Sequence, residues 1–305
     1  MKRLVLVCIK RLLRILGVLA PGLATNLAFR LFCYPAGRSR MRPIERAMMT
    51  RARAETLVIR GLHVKVYRWG DGARPVLMVH GWESRGARFA PLAEKLLADG
   101  YSPLTFDSPG HGASQGDRTT ILDYLAICQA LHERYGAFEA IVAHSFGVLC
   151  TFYALKHDIR TRCVVAVSGV SDFGYLLDEF SRRLDLVEPV KEQLRRRIEQ
   201  LFAPLDDIWS RFSVTSNAQG LQQRVLVIHD VQDEMVSVEQ ARKTAEHFGI
   251  RAELEITDGL GHSRPLRDPA VLERVCAFIG GECPLPMESP GEILPGQRLD
   301  PAGVS

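Results

Sequence analysis

The segment that decides the fold is Phe138-Glu139-Ala140-Ile141-Val142, followed without a break by Ala143-His144-Ser145-Phe146-Gly147. The first five residues read as a short buried strand, and Phe146–Lys156 as a helix. Between them a nucleophile elbow is expected. Such a turn is so tight that only small residues fit beside the serine; it lifts the Ser145 hydroxyl out of the sheet and leaves the Phe146 N–H free to hold an oxyanion. Ala143 stands where this pattern usually carries glycine, a mild departure because alanine is still small. A serine is a weak nucleophile alone, so the reading requires a histidine, an acid and a second N–H donor elsewhere in the chain.

Outward from the elbow, strands and helices alternate. Thr56–Tyr67 reads as two strands turning at Arg60-Gly61, Pro75–Val79 as a buried strand, Phe89–Leu97 as a helix, and Tyr101–Phe106 as a strand. Helix Thr119–Arg134 precedes the elbow strand, and strands Cys163–Val167, Arg224–Ile228 and Ala252–Ile256 follow, with helices at Val238–His247 and Asp268–Phe278. This alternation predicts an α/β fold, a mostly parallel sheet with helices on both faces, whose ligand sits beyond the carboxyl ends of the strands. Residues 172–220 break the rhythm with three helix-like segments (Tyr175–Leu186, Val190–Phe202, Asp207–Phe212) and are too long for a plain connection. They read as a helical cap insertion in a body covering 54–279. Residues 280–305, proline-rich and aperiodic, read as a disordered tail.

The missing partners have candidates at the right places. His262 lies in the glycine-rich loop Thr257-Asp258-Gly259-Leu260-Gly261-His262, after the last strand, and is the expected general base. The acid should follow Arg224–Ile228, where Asp230, Asp233 and Glu234 compete. Asp230 suits an Asx turn at the strand end, and Glu234 the first turn of the next helix. Asp233, on the loop, is the chosen acid, with Asp230 second. The second oxyanion donor is expected after Val79, where Gly81 allows close approach of the backbone and the Trp82 N–H can join that of Phe146. His80 and His144 read as scaffold hydrogen-bonders, and Asp107-Ser-Pro-Gly-His-Gly112 as a rigid turn-rich loop.

Composition is that of an ordinary globular chain: 305 residues, 47% hydrophobic and 24% charged. Seven cysteines include no Cys-x-x-Cys pair, so they read as reduced thiols in a cytoplasmic protein; no metal site is expected from the His and Cys spacing. The net charge of +4 hides an asymmetry, because residues 1–53 carry 12 Lys/Arg and a single acid, Glu45. The basicity thus belongs to an N-terminal arm, which argues against nucleic acid as a partner of the whole fold.

Within the arm, residues 4–20 are apolar but interrupted by Lys10, Arg11 and Arg14, too many charges for a spanning helix. On a helical wheel Arg3, Lys10, Arg11 and Arg14 share one side, largely opposite Leu6, Ile9, Leu12, Leu13 and Leu16. Two readings fit this amphipathic helix. Residues 1–20 bind an anionic membrane surface, at the inner face of a membrane, or they pack on their own domain. Pro21-Gly22 ends the helix.

His80-Gly81-Trp82, Asp107–Gly112, Ala143–Gly147, Asp233 and His262, in that order, resemble the α/β-hydrolase-fold serine hydrolases of the esterase and lysophospholipase kind, across roughly residues 55–280. The resemblance implies an eight-stranded mostly parallel sheet, a cap, no cofactor, and acyl transfer through an acyl-enzyme on a small-molecule acyl ester. Ser145 excludes relatives that attack with aspartate. Specificity is expected from the cap, where Phe173, Tyr175 and Leu176, with Phe180, Leu184, Leu201, Phe202 and Trp209, would line an apolar acyl pocket, although their spacing suits plain packing equally well. Thioester or peptide cleavage with the same residues, or a non-catalytic scaffold used for binding, are the competing functions.

Overall fold

The computed structural model describes residues 2–216 and 220–281. Three helices come first: α1 (Lys2–Leu19), α2 (Pro21–Cys33) and α3 (Pro43–Thr50). The body then runs β1 (Arg53–Ile59), β2 (Leu62–Arg68), β3 (Pro75–Val79), α4 (Ala90–Ala98), β4 (Ser102–Asp107), α5 (Ile121–Tyr135), β5 (Phe138–His144), α6 (Phe146–Leu155) and β6 (Thr161–Val167). Three inserted helices follow, α7 (Phe173–Leu184), α8 (Glu188–Leu201) and α9 (Ile208–Arg211), before β7 (Arg224–Asp230), α10 (Val238–Phe248), β8 (Ala252–Thr257) and α11 (Pro269–Gly280). Of the tail expected to be disordered, residues 280–305, Gly280 instead ends α11 and the Gly281 N–H caps it at the Ala277 carbonyl, while residues 282–305, Cys283 among them, lie outside the described residues.

The eight strands form one sheet in the order β1-β2-β4-β3-β5-β6-β7-β8. Only β2 runs against its neighbours β1 and β4; the other pairs are parallel. Period-two alternation sends side chains of each central strand to opposite cores. Val76 and Met78 of β3, Ala140 and Val142 of β5, and Leu226 and Ile228 of β7 meet α3, α4 and α11. Leu77, Val79, Ile141, Ala143, Val225 and Val227 meet α5, α6, α10 and the inserted helices. Both faces are therefore covered, as nearly continuous apolar strands require. α6 (FGVLCTFYAL) is buried along its whole length, which explains why it lacks a polar stripe.

The arm is built into this body. Leu13 of α1 and Ala24 and Ala28 of α2 belong to one core, Met48 and Met49 of α3 to the other. Gly17 lets α1 lie against the inserted helices, since a methyl there would fall 2.8 Å from a methyl of Val187, which precedes α8. Arg38 donates to the carbonyls of His111, Gly112, Ser114 and Gly116, so one arginine of the basic stretch is spent on the protein's own backbone. α1 packs along one side only. Leu13 is fully buried and Ile9 and Leu16 are half-buried, while Val5, Leu12, Ile15 and Leu19 form an exposed apolar stripe beside Arg11 and Arg14. Leu6 and Leu12, on the wheel's apolar side, are exposed at 42% and 47%. Among the described residues, no helix is long and apolar enough to cross a membrane.

Candidate active site

β5 ends at His144 and α6 begins at Phe146, so Ser145 makes the turn alone, at φ 57° and ψ −125°. A non-glycine residue in this region is strained by roughly 1–3 kcal/mol and persists only where its surroundings impose it. Two glycines impose it here. A methyl on Gly147 would lie 2.5 Å from the Val79 carbonyl oxygen, and one on Gly81 2.7 Å from Ser145 Cβ and 2.9 Å from the His144 oxygen. The end of β3 and the elbow are thus in direct backbone contact. The same Gly81 position lies 3.3 Å from the Phe146 nitrogen, and the rings of Trp82 and Phe146 meet edge to face at 6.2 Å. As the first residue of α6, Phe146 has an N–H with no acceptor inside the helix.

Ser145 Oγ lies 3.1 Å from His262 Nε2, and His262 Nδ1 lies 2.8 Å from Asp233 Oδ2. The carboxylate assigns the Nδ1 proton, which leaves Nε2 as an acceptor facing the serine hydroxyl. The Asp233 side chain is fully buried and takes two further bonds on Oδ1, from the N–H groups of Met235 (2.8 Å) and Val236 (2.9 Å). Burial alone would raise its pKa, but hydrogen bonds from His229 and His262, and from the Val236 amide, hold it well below the usual carboxylate range.

Asp230, the second candidate acid, does something else. Its Oδ1 accepts from Gln232 N (3.0 Å), the expected Asx turn, and also from Gly261 N (2.8 Å); its Oδ2 accepts from Leu260 N (2.8 Å) and Thr257 Oγ1 (2.8 Å). Asp230 therefore folds the glycine-rich loop that carries His262. Glu234 does not bond His262; its carbonyl accepts from Arg183. His144 donates from Nε2 to the His262 carbonyl at 2.9 Å, and burial pushes its pKa down to about 3, so it is neutral and braces the loop from the other side. His80, also pushed down to about 3 by burial, accepts from Ser108 N (3.0 Å) and contacts the Gly81 oxygen (2.8 Å). Asp107 is a fully buried anchor, bonded to Gly86 N (2.9 Å) and Ala113 N (2.8 Å) and paired with Arg85.

A cavity of about 490 Å³ opens onto Ser145 and His262. Phe173, Tyr175 and Leu176 all line it, as do Trp82, Phe146, Phe180, Leu201 and Phe202. Leu184 and Trp209 are not in its wall; Leu184 is packed in the core, and Trp209 stacks near Phe173 and donates to Glu199 at 2.6 Å. Tyr175 has a second task, since its hydroxyl accepts from Ser237 N (3.0 Å) and ties α7 to the loop that holds Asp233. Sequence reasoning missed three features. His229 Nε2 lies 3.3 Å from Asp233 Oδ2, Asp230 shapes the His262 loop, and Leu31, Phe32 and Cys33 of the arm form part of the cavity wall. Among the described residues, no group of three or more His, Cys, Asp or Glu is placed to hold a metal ion.

Residues 76–275 match the alpha/beta hydrolase family. The chain belongs to that family. Among curated relatives, it is 37% identical over 60 residues to a pimeloyl-[acyl-carrier protein] methyl ester esterase of Stenotrophomonas maltophilia, 20% of this chain and 22% of the relative. It is 30% identical over 114 residues to the protein of the same name in Xanthomonas campestris, 37% of this chain and 42% of the relative. The chain thus spans less than half the length of these relatives. Among solved structures, an esterase of Pyrococcus furiosus superposes with a TM-score of 0.59 at 21% identity, over 81% of this chain and 96% of that one, a likeness of fold.

Proposed function

We propose that this hydrolase is a serine esterase that cleaves carboxylic esters of apolar acyl chains through an acyl-enzyme. The observation that carries the reading is the hydrogen-bonded run Ser145–His262–Asp233, whose Ser145 and His262 border a cavity lined mostly by apolar side chains. The names of the curated relatives, methyl ester esterases, support ester rather than amide cleavage. Ser145 Oγ attacks the acyl carbon while His262 Nε2 takes its proton; the carbonyl oxygen becomes an oxyanion facing the N–H groups of Trp82 and Phe146. The ester C–O bond then breaks, and His262 returns the proton to the departing alcohol. Water repeats the sequence on the acyl-enzyme and releases the carboxylic acid. Asp233 stays ionised throughout, fixing the His262 tautomer and stabilising its charged form. No step calls for a cofactor.

The test is hydrolysis of a p-nitrophenyl ester series by the wild type, Ser145→Ala and His262→Ala. The expected result is turnover by the wild type and loss of several orders of magnitude in each variant. Turnover by Ser145→Ala equal to the wild type would contradict the proposal.

The exposed stripe of Val5, Leu12, Ile15 and Leu19 with Arg11 and Arg14 on its flank suits one occupant, the inner face of an anionic membrane, where apolar side chains enter the acyl boundary and arginines meet headgroups. Wild type is expected to sediment with phosphatidylglycerol–phosphatidylcholine vesicles, and a Leu12→Glu, Ile15→Glu double variant to stay in solution. Equal partition of the two would contradict this placement.

A further inference from the structure

The acyl pocket of this family member has a wall that the family match does not contain. The match begins at residue 76, yet Leu31, Phe32 and Cys33, at the C-terminal end of α2, line the same cavity as Ser145 and His262. This wall is fixed in place by contacts on every side. Phe32 meets Phe180 of α7 edge to face at 5.2 Å and 87°. Upstream, Thr25 Oγ1 donates to Gln193 Oε1 of α8 at 3.0 Å, and the Arg197 guanidinium lies 4.7 Å from the Phe29 ring. Downstream, Ala36 N donates to Glu83 Oε1 at 2.9 Å, and Glu83 itself borders the cavity. Two residues later Arg38 grips the carbonyls of the 111–116 loop. Segment 31–38 is therefore strapped to the cap, to the loop after β3 and to the loop after β4.

We propose that residues 31–33 are the specificity-determining wall of the acyl pocket and limit the length of acyl chain it takes. Two properties of the wall support this. Cys33 is nearly buried, and burial pushes its thiol up to about 11, so it stays a neutral, small, apolar surface and not a nucleophile. Phe32 and Leu31 are half-buried and face the cavity as part of a mostly apolar lining, with Phe180, Leu176 and Leu201 beside them. In such a pocket each methylene gained or lost changes selectivity by about 10- to 200-fold, so a change in the volume of this wall must be read out as a change in chain-length preference. The proposal rests on the esterase reading for the acyl group's identity, but the pocket can be probed without catalysis.

The experiment measures binding of saturated fatty acids from butyrate to palmitate, by displacement of a fluorescent fatty acid, on a Ser145→Ala background, beside p-nitrophenyl ester turnover in proteins that keep Ser145. Cys33→Phe fills the wall, and the ratio of long-chain to short-chain affinity is expected to fall about tenfold or more. Phe32→Ala opens it, and the ratio is expected to rise; this second variant keeps the test alive if the first does not fold. Superimposable chain-length profiles in folded variants and wild type, or no binding of any fatty acid, would overturn the proposal. Profiles that shift in a protein that hydrolyses no ester would uphold the wall and refute the esterase reading.

Discussion

At the residue scale the site turns on Ser145 being held where serine does not wish to be. Its φ of 57° is imposed by the backbone contacts at Gly81 and Gly147, and the strain is released if the side chain goes. Ser145→Gly is expected to abolish turnover while stabilising the fold by about 1 kcal/mol relative to Ser145→Ala, the relief of strain outweighing the added freedom of the unfolded chain. Urea midpoints measure this, and a glycine variant less stable than the alanine variant would refute it. Ser145 and His262 were legible because their flanking sequences, a small-residue elbow and a glycine-rich loop, encode backbone shape as well as chemistry. In the sequence, loop position favours Asp233 over Asp230. The hydrogen bonds that separate the two carboxylates were not legible, because Asp230 reaches Gly261 and His229 faces Asp233 only once β7 and β8 are side by side.

At the element scale the alternation of apolar runs and periodic helices gave the order of strands and helices, because buried parallel strands and amphipathic helices differ in period. β5 runs two residues further than the apolar run suggests, since Ala143 and His144 still pair with Ala166 and Val167 of β6. α2 and α3 were not legible. Pro21-Gly22 reads only as the end of α1, whereas proline in the first turn of a helix is favourable, and here Pro21 opens α2 and Pro43 opens α3. The contact between β3 and the elbow makes an element-scale prediction. Gly81→Ala would drive its methyl into Ser145 Cβ and the His144 carbonyl, and the displaced elbow should lose about 10²-fold in kcat/KM. Retention of wild-type kcat/KM would show that the loop after β3 does not need to lie so close.

At the scale of the whole molecule, the fold buries neutral histidines. His144 and His80 have folded pKa values of about 3, below the roughly 6.5 of an unfolded histidine. Their contribution is fully present above the unfolded value and is lost as pH falls toward the folded one, since the unfolded chain then binds the extra protons. Stability should fall between about pH 6.5 and 3, with roughly 1.4 kcal/mol per pH unit from each histidine. His144→Gln, which keeps a donor toward the His262 carbonyl, should make the fall shallower by about one proton; identical slopes in urea titrations at several pH values would contradict this. Asp233, held well below the usual carboxylate range, stays ionised through most of that window, so loss of activity near pH 5 is not expected to come from its protonation. The arm joins both cores, the inserted helices and the pocket wall, and its place in the molecule was hidden from sequence because its contacts with the body are between residues distant in the chain.

Intact-mass measurement after exposure of the full chain to an alkyl fluorophosphonate decides whether Ser145 is the nucleophile. One phosphonyl adduct per chain, mapped to Ser145 and absent from Ser145→Ala, is the result this site requires; a folded wild-type chain that gains no mass, or gains it equally in Ser145→Ala, would contradict it.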